Sequence, residues 1–347
     1  MLSEFSLLSF EFLALSAVAV VLLGALGGTA RKVAFLATNL VFVWGILLGP
    51  LGALSTIVFC AIGYVITRIA MRWRTWGLRL GLTAFTLLFV YMQNYDFLGF
   101  VLPDEVLTSV LRTVGLSFLF FKIVHVMIDA QGDVLGELEV LTYLNYCLNF
   151  STFIMGPIQR YQDFHAQWYG KTEAIPLTFD AHLNAVIRIL FGLVKAYVIA
   201  DRLAAFAMLS NVNVTGLTLG EFALRMYAFY FYLYLNFGGY CDVAIGVGSL
   251  MGIRPPENFD KPFLSKNVSE FWLRMHRSLT LWLTDYVFSP TFKRALSSKL
   301  LSSRPVVAMA IALMVTMVVS GLWHGTTASF LVFGIVHGLY LVIQRAW

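Results

Sequence analysis

Two histidines stand out as the residues most able to do chemistry. His324 sits in Gly321-Leu-Trp-His-Gly325, between the apolar run Pro305 to Ser320 and a second run ending near Val342. An imidazole with an ordinary pKa near 6.5 is the usual general base at neutral pH. An ionisable group at membrane depth is costly and marks a cavity or a pathway. The plain alternative is a histidine satisfied by a helix carbonyl or held in a turn between two spans. His276 falls in Glu270-Phe-Trp-Leu-Arg-Met-His276, where the alternative is an interfacial histidine bonded to a backbone carbonyl. His337, one helix beyond His324, could stand near it, but for His337 the plain alternative, a histidine satisfied within its own helix, is favoured.

A second group of polar residues flanks Gly238-Gly239: Asn236 before the pair, Tyr240 and Asp242 after it. They either line a cavity or satisfy the backbone groups freed by a helix break. Arg160, in Gly156-Pro-Ile-Gln-Arg160, either faces a ligand or pairs with Asp163. Lys122, His125 and Asp129 interrupt an apolar span as a proton path, or Lys122 snorkels. Trp323, Trp272 and Arg274 adjoin the histidines and join Asp242, Tyr240, Asn236 and Arg160 as candidate substrate or tunnel residues. Gly246-Val-Gly248 does not complete a dinucleotide fingerprint. Cys60, Cys147 and Cys241 lie far apart in apolar runs, so neither a metal site nor a disulfide framework is expected.

The elements that must hold these groups are set by composition. Of 347 residues 59% are hydrophobic and 12% charged, about half the charge of a soluble domain. Lipid must cover much of such a surface, which excludes an ordinary soluble enzyme. The basic balance, +5, accompanies no nucleic-acid motif. A span needs about 20 apolar residues, and that template fits near 7–27, 33–49, 53–70, 78–94, 106–128, 140–158, 183–208, 305–323 and 328–344. The stretch 221–253 is too long for one simple crossing, and Gly238-Gly239 predicts two shorter helices or a re-entrant pair. The fold expected is all-α, a transmembrane bundle of ten or eleven segments in one domain over 1–347, with N-terminal spans in 1–110. Met1 to Gly28 lacks a basic leader and carries Glu4 and Glu11, so it reads as a retained span. Gly24/Gly28 and Gly248/Gly252 have the spacing of close helix pairs.

Charge sets the expected orientation. Arg31, Lys32, Arg68, Arg72, Arg74 and Arg79 cluster in two connections that should be cytoplasmic, while Asp96, Asp104 and Glu105 mark an outside connection; the N-terminus is then outside. Segment 254–304 holds nine Lys or Arg against four acids and is expected inside. Within it, Ser265 or Asn267 caps a helix running to about Tyr286. Phe271, Trp272, Met275, Leu279 and Trp282 share one face and Glu270, Arg274, Arg277 and Asp285 the other, giving an amphipathic interfacial helix with His276 on its border.

These residues carry a resemblance. Gly239-Tyr-Cys-Asp-Val-Ala-Ile-Gly246, Gly252-Ile-Arg-Pro-Pro-Glu-Asn-Phe-Asp-Lys-Pro262, the Phe-Trp-x-Arg-x-His stretch ending at His276, Gly321-Leu-Trp-His-Gly325 and His337-Gly338 occur in order, after Met155-Gly-Pro-Ile-Gln-Arg-Tyr-Gln-Asp-Phe164. Together they resemble the membrane-bound O-acyltransferase family, in its bacterial branch of alginate O-acetyltransferases and D-alanyl transfer proteins, over a core of about 115–338. The resemblance implies a multi-pass plasma (inner) membrane enzyme of bacterial type. It would take an acyl group, acetyl by first choice, from a cytoplasmic thioester and pass it to a hydroxyl reached from outside. It implies His324 as the catalytic residue and His276 as a second active-site residue. The donor would be acetyl-CoA or an acyl carrier thioester, a co-substrate rather than a bound cofactor. The acceptor would be an exported polysaccharide, or teichoic acid if the group is D-alanyl, with an extracytoplasmic acyltransferase partner completing the transfer. Met275 stands where the family usually has a second Trp, and family members normally continue with further spans past Trp347. From other classes, a transporter would also enclose His and Asp, though no internal repeat is visible, and an inactive scaffold would keep the fold alone.

Overall fold

The computed structural model describes residues 9–95, 98–99, 115–132, 135, 138–168, 178–209 and 214–346. Glu4 and the acidic residues Asp96, Asp104 and Glu105 lie outside the described residues. Helices account for every regular element among the described residues, and the protein is an all-α, multi-span membrane protein. Among the described residues five helical stretches are long and apolar enough to cross a bilayer: Gly49–Trp73, Thr75–Gln93, Phe179–Ala207, Pro305–His324 and Ala328–Arg345. The chain packs as two compact units, one from Met1–Leu47 with Leu144–Glu257, the other from Leu48–Tyr143 with Asn258–Trp347.

In the first unit the helix Leu219–Leu250 is continuous for 32 residues. The break expected at Gly238-Gly239 does not occur, and neither does a re-entrant pair. Thr218 and Glu221 start the helix with a reciprocal capping box, and Gly239 serves contact rather than bending. A Cβ at Gly239 would stand 2.6 Å from the Gly192 carbonyl oxygen, and one at Gly192 would stand 2.7 Å from that of Gly239. The two backbones therefore touch, as small residues allow between membrane helices. No atom lies within 4 Å of a Cβ built at Gly24 or Gly28, and Gly248 faces Pro255, so the glycine pairs picked by spacing are not helix seams.

The crossing expected at 140–158 is replaced by a nine-residue helix, Val140–Leu148, and one short turn, Phe150–Thr152. Nine residues cannot span a bilayer. The helix stops where buried amides take over: Asn149 caps Ser151, Asn39 accepts from the Phe150 amide at 3.0 Å, and Asn39 also donates to Asn145 at 3.1 Å. At one end of this unit Arg31 donates to the Met251 carbonyl (2.9 Å) and stacks over Trp168. The connection after the first helix thus meets the end of Leu219–Leu250.

In the second unit the helical assignment runs unbroken through Gly49–Gln93, about 67 Å if it were straight. It is not straight. Phe59 packs against Phe85 with ring centroids 4.5 Å apart, Gly81 faces Ile66, and Gly77 lies on Ala70. Those pairs close a hairpin about the basic stretch near Arg72, so the two expected spans, 53–70 and 78–94, lie side by side. Pro305–His324 and Ala328–Ala346 form a second hairpin, in which a Cβ on Gly334 would stand 2.5 Å from the Met317 carbonyl oxygen.

Candidate active site

The amphipathic helix expected over 265–286 is two helices. Asn267 caps the first, Val268–Arg274, with its side chain 2.8 Å from the Glu270 amide. The second, Arg277–Leu283, continues through a π-helical turn, Thr284–Phe288. Between them His276 adopts the left-handed conformation, φ 47°, ψ 49°, which costs a non-glycine residue about 1–2 kcal/mol. That rotation takes His276 off the helical wheel. Its imidazole is buried, with the ring edge-on to Trp323 (centroids 5.7 Å) and to His324 (6.4 Å, 74°). Burial first, and the facing His324 second, push the His276 pKa down from 6.5 to about 3, so this imidazole is neutral at pH 7.

His324 is the last residue of Pro305–His324, and Gly325 continues in extended backbone. Both neighbouring glycines are filled from across the hairpin: the Phe330 ring occupies the place of a Gly325 Cβ, and the Phe330 carbonyl that of a Gly321 Cβ. Close backbone packing thus explains them. Trp323 fixes the end of the helix. Its indole nitrogen donates to the Ser117 carbonyl (3.2 Å) and its ring stacks on Phe121, which stacks in turn on Trp282. Trp323 and His276 are buried, whereas His324 is exposed although rings approach it from several sides, Phe333 at 5.5 Å among them. Of the two histidines His324 is the accessible one.

At 6.4 Å between centroids the two ring systems are too far apart for a direct hydrogen bond, which needs about 3 Å between heavy atoms. Trp272 belongs to the same cluster through His337 (5.1 Å, edge-on) and Phe333 (6.2 Å), and His337 lies 4.5 Å from Phe333. Arg274 does not point at the histidines; its partners are Glu270 at 2.7 Å and the Asp260 carbonyl. Two features of the sequence point to His337: its place one helix beyond His324 and the His337-Gly338 pair. Phe333, Phe121 and Trp282 gave none.

Asp242, Tyr240, Asn236 and Arg160 belong to the other unit. Asp242 is the hub of an ion cluster, receiving Arg188 at 3.0 Å and Lys195 at 2.5 Å, with Arg188 also held by Glu257. Tyr240 borders a cleft shared with Ser151, Met155 and Gly156. Asn236 donates to the Tyr232 hydroxyl at 3.5 Å, and the Arg160 carbonyl starts the helix Tyr161–Trp168. Back in the second unit, Lys122 is 1% exposed, so it does not snorkel. His125 and the Tyr286 hydroxyl both meet Asp129, at 3.3 and 2.7 Å.

The apolar helices define an integral membrane protein, in which an exposed histidine faces a buried one at the turn of a helical hairpin. The model of the MBOAT, membrane-bound O-acyltransferase, family matches residues 59–347, and the chain belongs to that family. It is 35% identical over 251 residues to the teichoic acid D-alanyltransferase of Streptococcus thermophilus, covering 69% of this chain and 58% of that one. It is 33% identical over 291 residues to the protein named probable alginate O-acetylase AlgI of Pseudomonas aeruginosa, covering 81% and 52%. It is 30% identical over 281 residues to the peptidoglycan O-acetyltransferase of Helicobacter pylori, covering 77% and 51%. The chain spans about half the length of the curated relatives it matches.

Proposed function

We propose that the protein is an O-acyltransferase that moves an acyl group from a thioester donor to a hydroxyl of an exported polymer, with His324 as general base. The observation that carries this reading is the pairing of an exposed His324 with a buried, neutral His276 at 6.4 Å. A ring nitrogen of His324 takes the acceptor hydroxyl's proton as the oxygen attacks the thioester carbonyl. The tetrahedral intermediate collapses, the carbon–sulfur bond breaks, and the imidazolium returns the proton to the leaving thiolate. His276 orients the reacting oxygen from the opposite side. Trp323, held by Ser117 and Phe121, keeps the base in place.

The donor is acetyl-CoA or an acyl carrier thioester, and an extracytoplasmic partner protein assists transfer to the polymer. The relatives named for alginate and peptidoglycan acetylation support acetyl, and the relative named for teichoic acid supports D-alanyl as the second reading. The N-terminus lies outside and 254–304 inside. This is supported by the Arg31–Met251 bond, which brings the first basic connection to the start of 254–304. It also agrees with alternation, because dropping a crossing at 140–158 and making 219–250 a single crossing leave the sidedness of 254–304 unchanged.

The test is mass spectrometry of ester-linked groups released by mild alkali from the envelope and secreted polymer of cells with the native protein, His324→Asn or a deletion. Loss of acetate in both altered strains supports acetyl transfer, and loss of D-alanine supports the second reading. Unchanged ester content in both, with the native protein expressed, overturns the acyltransferase assignment.

A further inference from the structure

We propose that Asn258 is the positioning residue for His276, capping from outside the helix whose N-cap place the histidine occupies. His276 stands where Ser, Thr, Asp or Asn ordinarily caps a helix by accepting from the first free amides. It makes no such bond, because its imidazole is turned toward Trp323 and His324. The first two amides are satisfied instead by Asn258, which is 1% exposed on the preceding non-helical segment. The Asn258 carbonyl accepts from the Arg277 amide (2.8 Å), and its Oδ1 accepts from both the amide and the hydroxyl of Ser278 (3.2 and 2.8 Å). On the other side of the break the Asp260 amide donates to the Arg274 carbonyl (3.0 Å). The segment 258–260 therefore grips both helix ends that flank His276, and the left-handed residue between them has one place to go. Moving the cap elsewhere frees the histidine for the site.

The inference rests on His276 as an active-site residue, and two readouts separate the failure of each. In purified protein, Asn258→Ala should lower kcat by about tenfold or more, as loss of a catalytic group's alignment does, with KM for the donor little changed. Asn258→Asp, which keeps an accepting oxygen at a helix start that favours negative charge, should recover most of it. In a His276→Ala background Asn258→Ala should add nothing. The second readout needs no activity: cysteines replacing His276 and His324 should be joined by a short bifunctional thiol reagent, and Asn258→Ala should cut the yield severalfold. An undiminished cross-link in folded Asn258→Ala protein overturns the positioning role. A reduced cross-link with full transfer in His276→Ala leaves the positioning intact and overturns the role of His276. Multiplying losses in the double variant, or an Asn258→Ala rate per folded molecule equal to the native one, also overturn the proposal.

Discussion

The imidazole of His276 meets that of His324 edge-on, the rings 6.4 Å apart at 74°, one buried and the other open. In the proposed mechanism the two residues have unequal parts. Removing the base, as in His324→Asn, should lower transfer by about 10²–10⁴-fold, the range for a general base. His276→Asn should cost less, because asparagine tolerates the left-handed backbone and still offers a polar group to the reacting oxygen. The double variant should be no slower than His324→Asn alone, since groups acting on one transition state are not additive. Rates per folded molecule in detergent check this, and a His276→Asn enzyme slower than His324→Asn would reverse the assignment of parts.

Burial of His276 also makes stability depend on pH. In the unfolded chain this imidazole titrates near 6.5, and in the folded protein at about 3. Between those values the unfolded state binds more protons, so the contribution is complete above about pH 6.5 and is lost as pH falls. The slope for one group is at most about 1.4 kcal/mol per pH unit. Melting temperatures measured from pH 7.5 down to 4.5 should fall more steeply for the native protein than for His276→Asn. Parallel curves would mean that His276 is not kept neutral by the fold.

The contact between Gly192 and Gly239 predicts a stability effect far from the histidines. A methyl on either glycine meets the other's carbonyl oxygen at 2.6–2.7 Å, where backbone rather than a flexible side chain must move. Gly192→Ala and Gly239→Ala should each destabilise by about 1–3 kcal/mol, and the double variant by less than the sum because both press on one seam. Gly24→Ala, with open space around it, is the control and should be neutral or slightly stabilising. Thermal unfolding in detergent distinguishes the two classes, and equal behaviour of all three would remove the seam.

The helical class, the spans at 53–70, 78–94, 183–208, 305–323 and 328–344, and the Asn267 cap were legible because each follows from local composition or from one capping side chain. The two glycines at 238–239 were misread for a physical reason. In sequence a glycine that bends a helix and one that admits a neighbouring backbone look the same, and Gly192, the partner that decides, lies 47 positions earlier. The amide network of Asn39, Asn145 and Asn149 was likewise invisible, so an apolar run was read as a crossing. The two histidines and Trp323 could be picked out by type and motif. That His276 leaves the helical path could not, because Asn258 acts on it from a segment with no periodic signal. Arg274 and Asp242 drew attention as charges, and the fold engages both in ion pairs.

Sidedness yields the last prediction. Within the first unit, Arg31 reaches the Met251 carbonyl, so Thr29 and Arg254, both exposed, flank one joint at one end of the bundle. Cysteines placed at Thr29 and at Arg254, in a background where the buried Cys60, Cys147 and Cys241 are left in place, should respond alike to an impermeant thiol reagent. If the first connection is inside, as proposed from Arg31 and Lys32, both should resist the reagent in whole cells and label in inverted vesicles. Ser297→Cys, also exposed and in the basic stretch 254–304, should follow them. Labelling of both Thr29→Cys and Arg254→Cys from outside would invert the protein but keep the joint. Opposite labelling of that pair would break the joint itself, and with it the single crossing proposed for Leu219–Leu250.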